Sequence, residues 1–379
     1  MHPMIKPALR RAWRDRQTLQ YGVAPAHAVA LGPVDTATGS FLDLLDGTRN
    51  VDQLREAAAA LGLGEAAVDR LLERLAGAGL LDDATADRAA AAEVTEQLRP
   101  DLASLTVTSP APGGGLRRLT ARRSAHVRVQ GAGRVGATLA SLLAAAGVGY
   151  VDVRDGGRVE PWDTAPGGIP AAERGQRREA AGRRAVRQAS PWASRQPPAS
   201  SRDGLDLVVL APRDGLAAYA PDPAVAEPLL RTGTPHLYAG VVEGTGVVGP
   251  LVLPGATPCA DCLMRQWAQR EPTWPLLVAQ WRSARRTGVP ACDVALATLV
   301  ASVAASHVLG FLDSGATVAA GARLRYVLPD VTGEREPVTA HPECPCGAAA
   351  PVAEAAGGPP EGEAASGESR SAPDLAAVE

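Results

Sequence analysis

A glycine-rich turn between an apolar strand pattern and an apolar helix pattern limits what this chain can fold into more than any other feature. The segment is HVRVQGAGRVGATLASLLAAAGVGYVDVRD, residues 126–155. Val127 and Val129 suit a buried parallel strand, and Gly131, Gly133 and Gly136 complete G-x-G-x-x-G. Ala137, Leu139, Ala140, Leu142 and Leu143 then give a helix with an apolar packing face. In such a unit the first glycine permits the tight turn, the second lets backbone approach a phosphate, and the third lets helix and strand pack closely. The helix start leaves free N–H groups facing an anion. The second strand, YVDVRD, ends in Asp155, placed to accept hydrogen bonds from ribose hydroxyls. Strand, helix, strand and acid in this order predict an α/β, Rossmann-like nucleotide-binding core. The same glycines would also serve packing alone, with no nucleotide bound.

The cysteines supply the second constraint. Five cysteines in 379 residues do not make a disulfide framework. Cys259 and Cys262 form C-x-x-C, and Cys344 and Cys346 form C-x-C eighty-two residues later. Four thiolates satisfy a closed, tetrahedral, structural zinc site with no open position for water. The tight C-x-C spacing leaves His341 open as an alternative ligand. Such a site would pin the last strand, expected over GARLRYVLPD at 321–330, to the loop after LVLP. Cys292 stands apart, ahead of a long apolar helix pattern where free N–H groups favour a thiolate. It reads either as a nucleophile or as a small residue near a helix cap. His307, fifteen residues on, is out of reach as its base if that helix is continuous.

The rest of the chain divides around this core. Residues 17–33 alternate loosely, as a hairpin does. Three helical patterns follow: SFLDLLDG, with Phe41, Leu44 and Leu45 on one face; VDQLREAAAALG, capped by Asn50; and Glu65–Leu80, with Val68, Leu71, Leu72 and Leu75 at helical spacing. A hairpin with three short helices describes a winged helix-turn-helix domain over 1–85, and its mixed charge favours a peptide or protein ligand over DNA. Residues 86–125 read as a linker, helical in its first half and broken at SPAPGGG. Residues 126–347 form the core domain, and 348–379 an acidic, disordered tail. The formal net charge of -3 implies neither a nucleic-acid nor a membrane partner, although residues 167–202 hold eight arginines against two glutamates. No segment offers about twenty uninterrupted apolar residues, and no secretory signal is evident, so a reducing, cytoplasmic setting is expected.

Taken together, these residues resemble the ThiF/MoeB/HesA superfamily, whose fold is that of ubiquitin-activating enzymes. The resemblance rests on GAGRVG, LLAAAGVG, Asp155 with GGRVEPWD, the four cysteines, and Cys292 before the late helix, over roughly residues 118–347. It implies ATP with magnesium, and adenylation of a peptide or protein C-terminus. It assigns Gly131, Gly133, Gly136, Asp155, Arg178 and Asp214 to nucleotide binding, and Cys292 to catalysis. Several positions depart from the family pattern. Asp163 and Pro166 stand where the family has asparagine and arginine, Arg178 where it has lysine, and Arg213 where it has the magnesium-binding aspartate, with Asp214 one residue away. The layout is similar to the ThiF-like partner proteins of azoline-forming peptide-modification systems. That implies binding of a precursor-peptide leader and presentation to a YcaO cyclodehydratase, with a homodimer compatible. The alternative is an active ATP-dependent adenylyltransferase.

Overall fold

The computed structural model describes residues 1–86, 88–192, 204–284, 289–315 and 317–349. The expected acidic tail lies almost wholly outside them, as does part of the arginine-rich stretch. Two compact units are present, Met1–Thr120 and Ala121–Ala353.

In the first unit, β1 (Pro3–Ile5) pairs antiparallel with β5 (Leu81–Asp83), and β2 (Arg11–Trp13), β3 (Leu19–Tyr21) and β4 (Val29–Leu31) form an antiparallel sheet in that order. The expected hairpin is therefore the second half of a three-stranded sheet. Between β4 and β5 run α1 (Thr36–Asp43), α2 (Val51–Ala60) and α3 (Glu65–Gly77), where the apolar spacing predicts three helices. Each start has a local cause. Asp35 accepts the Thr38 N–H at α1, and Asn50 forms a reciprocal capping box with Gln53 at α2. The third helix stops three residues before Leu80, because Gly79 turns the chain at φ +69 and releases it toward β5, which starts at Leu81. Phe41, Leu54, Val68, Leu72 and Leu75 form the core with Leu19, Tyr21 and Leu31 from the sheet. Residues 86–125, read above as a linker, hold α4 (Arg88–Ala92), α5 (Arg99–Thr108) and α6 (Gly114–Ser124). They do more than connect: the Lys6 ammonium, 1% exposed, donates to the Ser109 carbonyl at 2.6 Å, and Asp82 accepts the Gly113 N–H at 2.6 Å.

The second unit is built on a seven-stranded sheet. Its strands are β6 (His126–Gln130), β7 (Tyr150–Arg154), β8 (Leu207–Leu210), β9 (His236–Val242), β10 (Thr245–Val252), β11 (Ala322–Val327) and β12 (Thr332–Pro337). Their order is β12-β11-β10-β9-β8-β6-β7. The half from β7 to β9 is parallel and the half from β9 to β12 antiparallel. The strand expected at 321–330 is thus not the last, since β12 returns antiparallel along β11. Helices α7 (Arg134–Ala145) and α8 (Arg178–Ala189) follow β6 and β7. The remaining helices are α9 (Gly215–Tyr219), α10 (Pro223–Arg231), α11 (Ala260–Arg270), α12 (Trp274–Ser283) and α13 (Val294–Ser314).

Helix α13 corrects one reading of the sequence, because it is long and apolar enough to cross a membrane by length and composition. Its apolarity has another use. Leu296, Val300, Ala304 and Val308 form a buried stripe in the core that also holds buried residues of α7, β9 and β10, so α13 is a core helix of the unit. Gly246 permits the close approach: a Cβ there would lie 2.4 Å from Val300 Cγ2. The end of α13 is fixed by a two-pronged ion pair in which Arg122 Nε and a terminal nitrogen donate to Asp313 at 2.8 and 2.6 Å, with side chains 7% and 9% exposed. Replacing Asp313 with alanine strands the guanidinium in the interior. The expected loss is about 3–5 kcal/mol, read as a melting temperature lower by roughly 6–15 °C.

Candidate functional site

The three glycines of the turn do different work. Gly131 has φ +116, and a Cβ there would lie 1.8 Å from the Ala211 carbonyl oxygen. A Cβ on Gly136 would lie 2.1 Å from the Gly131 carbonyl oxygen. Both glycines are required by the protein's own packing. Gly133, the N-cap of α7, is not: its nearest neighbour is the Arg213 stem, 3.4 Å from a built Cβ. The backbone approach left for a phosphate is covered by an arginine side chain of the same chain.

Asp155 directly follows β7, one residue past the strand end that the sequence predicts, with its side chain only 7% exposed. One oxygen accepts the Ala132 N–H at 2.6 Å and the other accepts Arg178 Nε at 2.9 Å. Arg178 also donates to the carbonyls of Arg158 and Gly156, at 2.6 and 2.7 Å, and reaches Asp163 at 3.4 Å. Asp163, 2% exposed, accepts Arg213 Nε at 2.6 Å and the Glu160 N–H at 2.9 Å. Glu160 forms a further ion pair with Arg213. A chain of alternating charges therefore runs Asp155–Arg178–Asp163–Arg213–Glu160. Burial pushes the Asp163 carboxyl up to about 6, against the pull of Arg178. Burial likewise lowers the Arg213 guanidinium.

This network leaves little room. The cavity at the turn, lined by Gly133, Arg134, Trp162, Asp163, Arg213 and Cys292, measures about 80 Å³. Small-molecule sites usually measure about 300–1,000 Å³. Asp214, expected near a metal, instead caps α9 by accepting the Leu216 N–H at 2.9 Å. Cys292 borders the cavity, but Asp293 takes the free N–H groups of Ala295 and Leu296 at the start of α13. Burial raises its thiol, with Arg134 opposing. His307 lies far along the continuous helix, its ring paired with the Thr317 hydroxyl. The structure thus brings together Gly133, Asp155, Arg178, Asp163 and Arg213, and leaves Asp214 and His307 outside. Glu160 and Trp162 were missed as participants. The available signal was an acid gained at Asp163, in place of a neutral asparagine, answering the reversal of sign at Arg213.

The cysteine cluster forms where α11 begins. Cys259 is its N-cap and Cys262 sits in its first turn, while Cys344 and Cys346 return from the chain after β12. The four sulfurs lie within 4.8 Å of one another, with Cys259–Cys344 at 3.5 Å and Cys262–Cys346 at 3.6 Å. A tetrahedron with metal–sulfur bonds of about 2.3 Å has edges of about 3.8 Å, so the set fits one metal ion. His341 is not part of it. Its ring contacts Gln269 at 2.8 Å and accepts the Glu343 N–H at 3.2 Å, and its own backbone N–H donates to Cys262 Sγ at 3.4 Å. A hydrogen bond from Cys259 holds the Cys262 thiol below its ordinary range.

Comparison with known proteins adds three findings. The family model described as ThiF family matches residues 111–346. A search of curated protein sequences gives no match. Among solved structures, E. coli MccB with succinimide superposes at TM-score 0.68 and 14% identity, covering 92% of this chain and 99% of that one. The microcin C7 biosynthetic enzyme MccB in complex with N-formylated MccA superposes at 0.67 and 13%, covering 92% and 100%. The heterocyclase TruD superposes at 0.60 and 18%, covering 92% of this chain and 43% of its own. At these identities the likeness is one of fold.

The separate duties of the glycines are testable by stability alone. Gly131→Ala and Gly136→Ala should each lose more than about 3 kcal/mol or fail to fold, whereas Gly133→Ala should stay within about 1 kcal/mol of the parent in urea unfolding.

Proposed function

Because the chain belongs to the ThiF family, we propose that it is a precursor-peptide-binding scaffold whose activating-enzyme fold has closed its own nucleotide site. One observation carries this reading. The Arg213 guanidinium, paired with Asp163, fills the space above the glycine turn and leaves about 80 Å³. A cation there repels magnesium, and Asp155 has both oxygens engaged within the protein. The scaffold would act in the cytoplasm, presenting a ribosomal peptide to a YcaO-type cyclodehydratase. The likeness to a structure with MccA and to a heterocyclase supports a peptide substrate class. The second reading, an ATP-dependent adenylyltransferase, draws on the intact GAGRVG turn and on the likeness to E. coli MccB with ATP, TM-score 0.66 at 13% identity. It requires Arg213 to leave its place.

The winged-helix reading of the first unit gives the leader a place. Arg14 N–H donates to the Thr18 carbonyl and Gly22 N–H to the Arg10 carbonyl. Hydrogen-bonded pairs alternate along an antiparallel ladder, so Gln20 directs its N–H and C=O to β2, and Leu19 and Tyr21 direct theirs to β4. Ala30, opposite Gln20, therefore faces its backbone outward along the free edge of β4. Helix α3 lies alongside, where Arg74 donates to the Gly32 carbonyl at 2.9 Å. An extended leader adding to β4 would gain backbone pairing there, with side-chain pockets against α3 giving specificity.

The metal at the cysteine cluster is zinc in this proposal, held by Cys259, Cys262, Cys344 and Cys346. It would tie the segment after β12 to the start of α11. Elemental analysis should find one zinc per chain. Cys259→Ser should lose it and melt at lower temperature, since structural metal binding contributes folding free energy.

Two measurements on the full chain separate the functional readings. With magnesium and ATP, calorimetry should register at most feeble binding and no ATP–pyrophosphate exchange. Sustained exchange that disappears in Asp155→Ala would establish the adenylyltransferase instead. A labelled leader from a precursor peptide encoded beside a YcaO protein should bind. Ala30→Pro should weaken that binding at least tenfold with little change in melting, because proline at a strand edge removes only the outward donor. Unchanged affinity would move recognition off this edge.

A further inference from the structure

The second unit carries a charged cleft whose lining shares only Asp155 with the nucleotide-site network and no residue with the cysteine cluster. It lies between the loop after β7 and the outer face of α8, and encloses about 690 Å³. Five arginines line it against two acids, and only Glu179 neutralises one of the five. Asp155 is engaged by Arg178, and Glu179 by Arg183 at 2.8 Å. Arg184 is paired with Glu173. The other three guanidinium groups are uncommitted: Arg158 donates only to the Gly175 carbonyl at 2.8 Å, and, among the described residues, Arg177 and Arg187 have no carboxylate within ion-pair reach.

We propose that this cleft docks an extended, carboxylate-rich segment of a polypeptide partner. Three features select that occupant. Arginine matches carboxylates with its forked donors, and an excess of unpaired arginines in a concave site draws acidic ligands. The unpaired Arg177 and Arg187 stand at the N-cap and in the last turn of α8, about 15 Å apart along it. An extended peptide advances about 3.4 Å per residue, so a short extended segment carrying several acids spans both. Among the described residues no aromatic side chain lines the cleft, which removes the stacking platform that single-stranded nucleic acid or a nucleobase would need. The formal net charge of the whole chain, -3, also gives no general affinity for nucleic acid. The site depends neither on ATP nor on the β4 edge, so it stands or falls apart from the proposed scaffold role.

The experiment uses the full chain and a fluorescein-labelled twelve-residue peptide alternating glutamate and alanine. A lysine–alanine peptide and a twelve-nucleotide oligothymidylate serve as comparisons. The acidic peptide should bind, weaken at least tenfold between about 50 and 200 mM salt, and weaken at least tenfold in the double variant Arg177→Glu/Arg187→Glu. Both side chains are exposed and unpaired, so the variant should melt with the parent. If it does not, Arg177→Ala/Arg187→Ala replaces it. Absence of binding, affinity unchanged in the variant, or tighter binding of the oligothymidylate would each overturn the proposal.

Discussion

The ion pair between Arg213 and Asp163 decides what the rest of this fold can do. A guanidinium fixed 2.6 Å from a carboxylate with 2% exposure leaves only at the cost of that carboxylate's shortest ion pair in the interior. Asp163 in turn reaches Arg178, and Arg178 holds Asp155 against the turn. The four side chains form one unit, and moving any of them exposes a buried charge on the next. The glycine turn survives beneath this unit because its first and third glycines are needed by the sheet whether or not a phosphate arrives.

The second unit is held at two other points by different physics. Helix α13 brings apolar burial, with small side chains letting it approach the sheet, and Arg122 fixes its far end. The cysteine cluster brings a site for a metal cross-link between chain positions more than eighty residues apart, set in a small core with Val208, Leu210, Tyr238 and Val252. A chain with two phenylalanines relies on Ala, Val and Leu packing, and such packing tolerates little added volume. The tight contact of Gly246 with Val300 has the same cause.

Much of the architecture was legible because it is local. Alternation and helical spacing place β6, α7, β7 and the three helices before β5, and Asn50 announces the start of α2. The errors also have local causes. β1 and β2 are three residues each and lack an apolar run, so only their pairing partners make them strands. β12 is almost wholly exposed, with no buried face to give it a period. The membrane-length apolarity of α13 is invisible as core packing until its neighbours are known.

By itself the sequence determined the nucleotide-type core, the pairing of cysteines into one candidate metal site, and the suspicion attached to Arg213. Each depends on residues close in the chain or on chemistry carried by residue type. Only the tertiary structure decided that Asp163 and Arg213, fifty residues apart, meet at the rim of the small cavity by the glycine turn. It also decided that His341 turns its ring to Gln269, that Asp214 caps a helix, and that Ala30 faces its backbone outward. These outcomes turn on which side chains face one another across the fold, and no spacing along the chain encodes that.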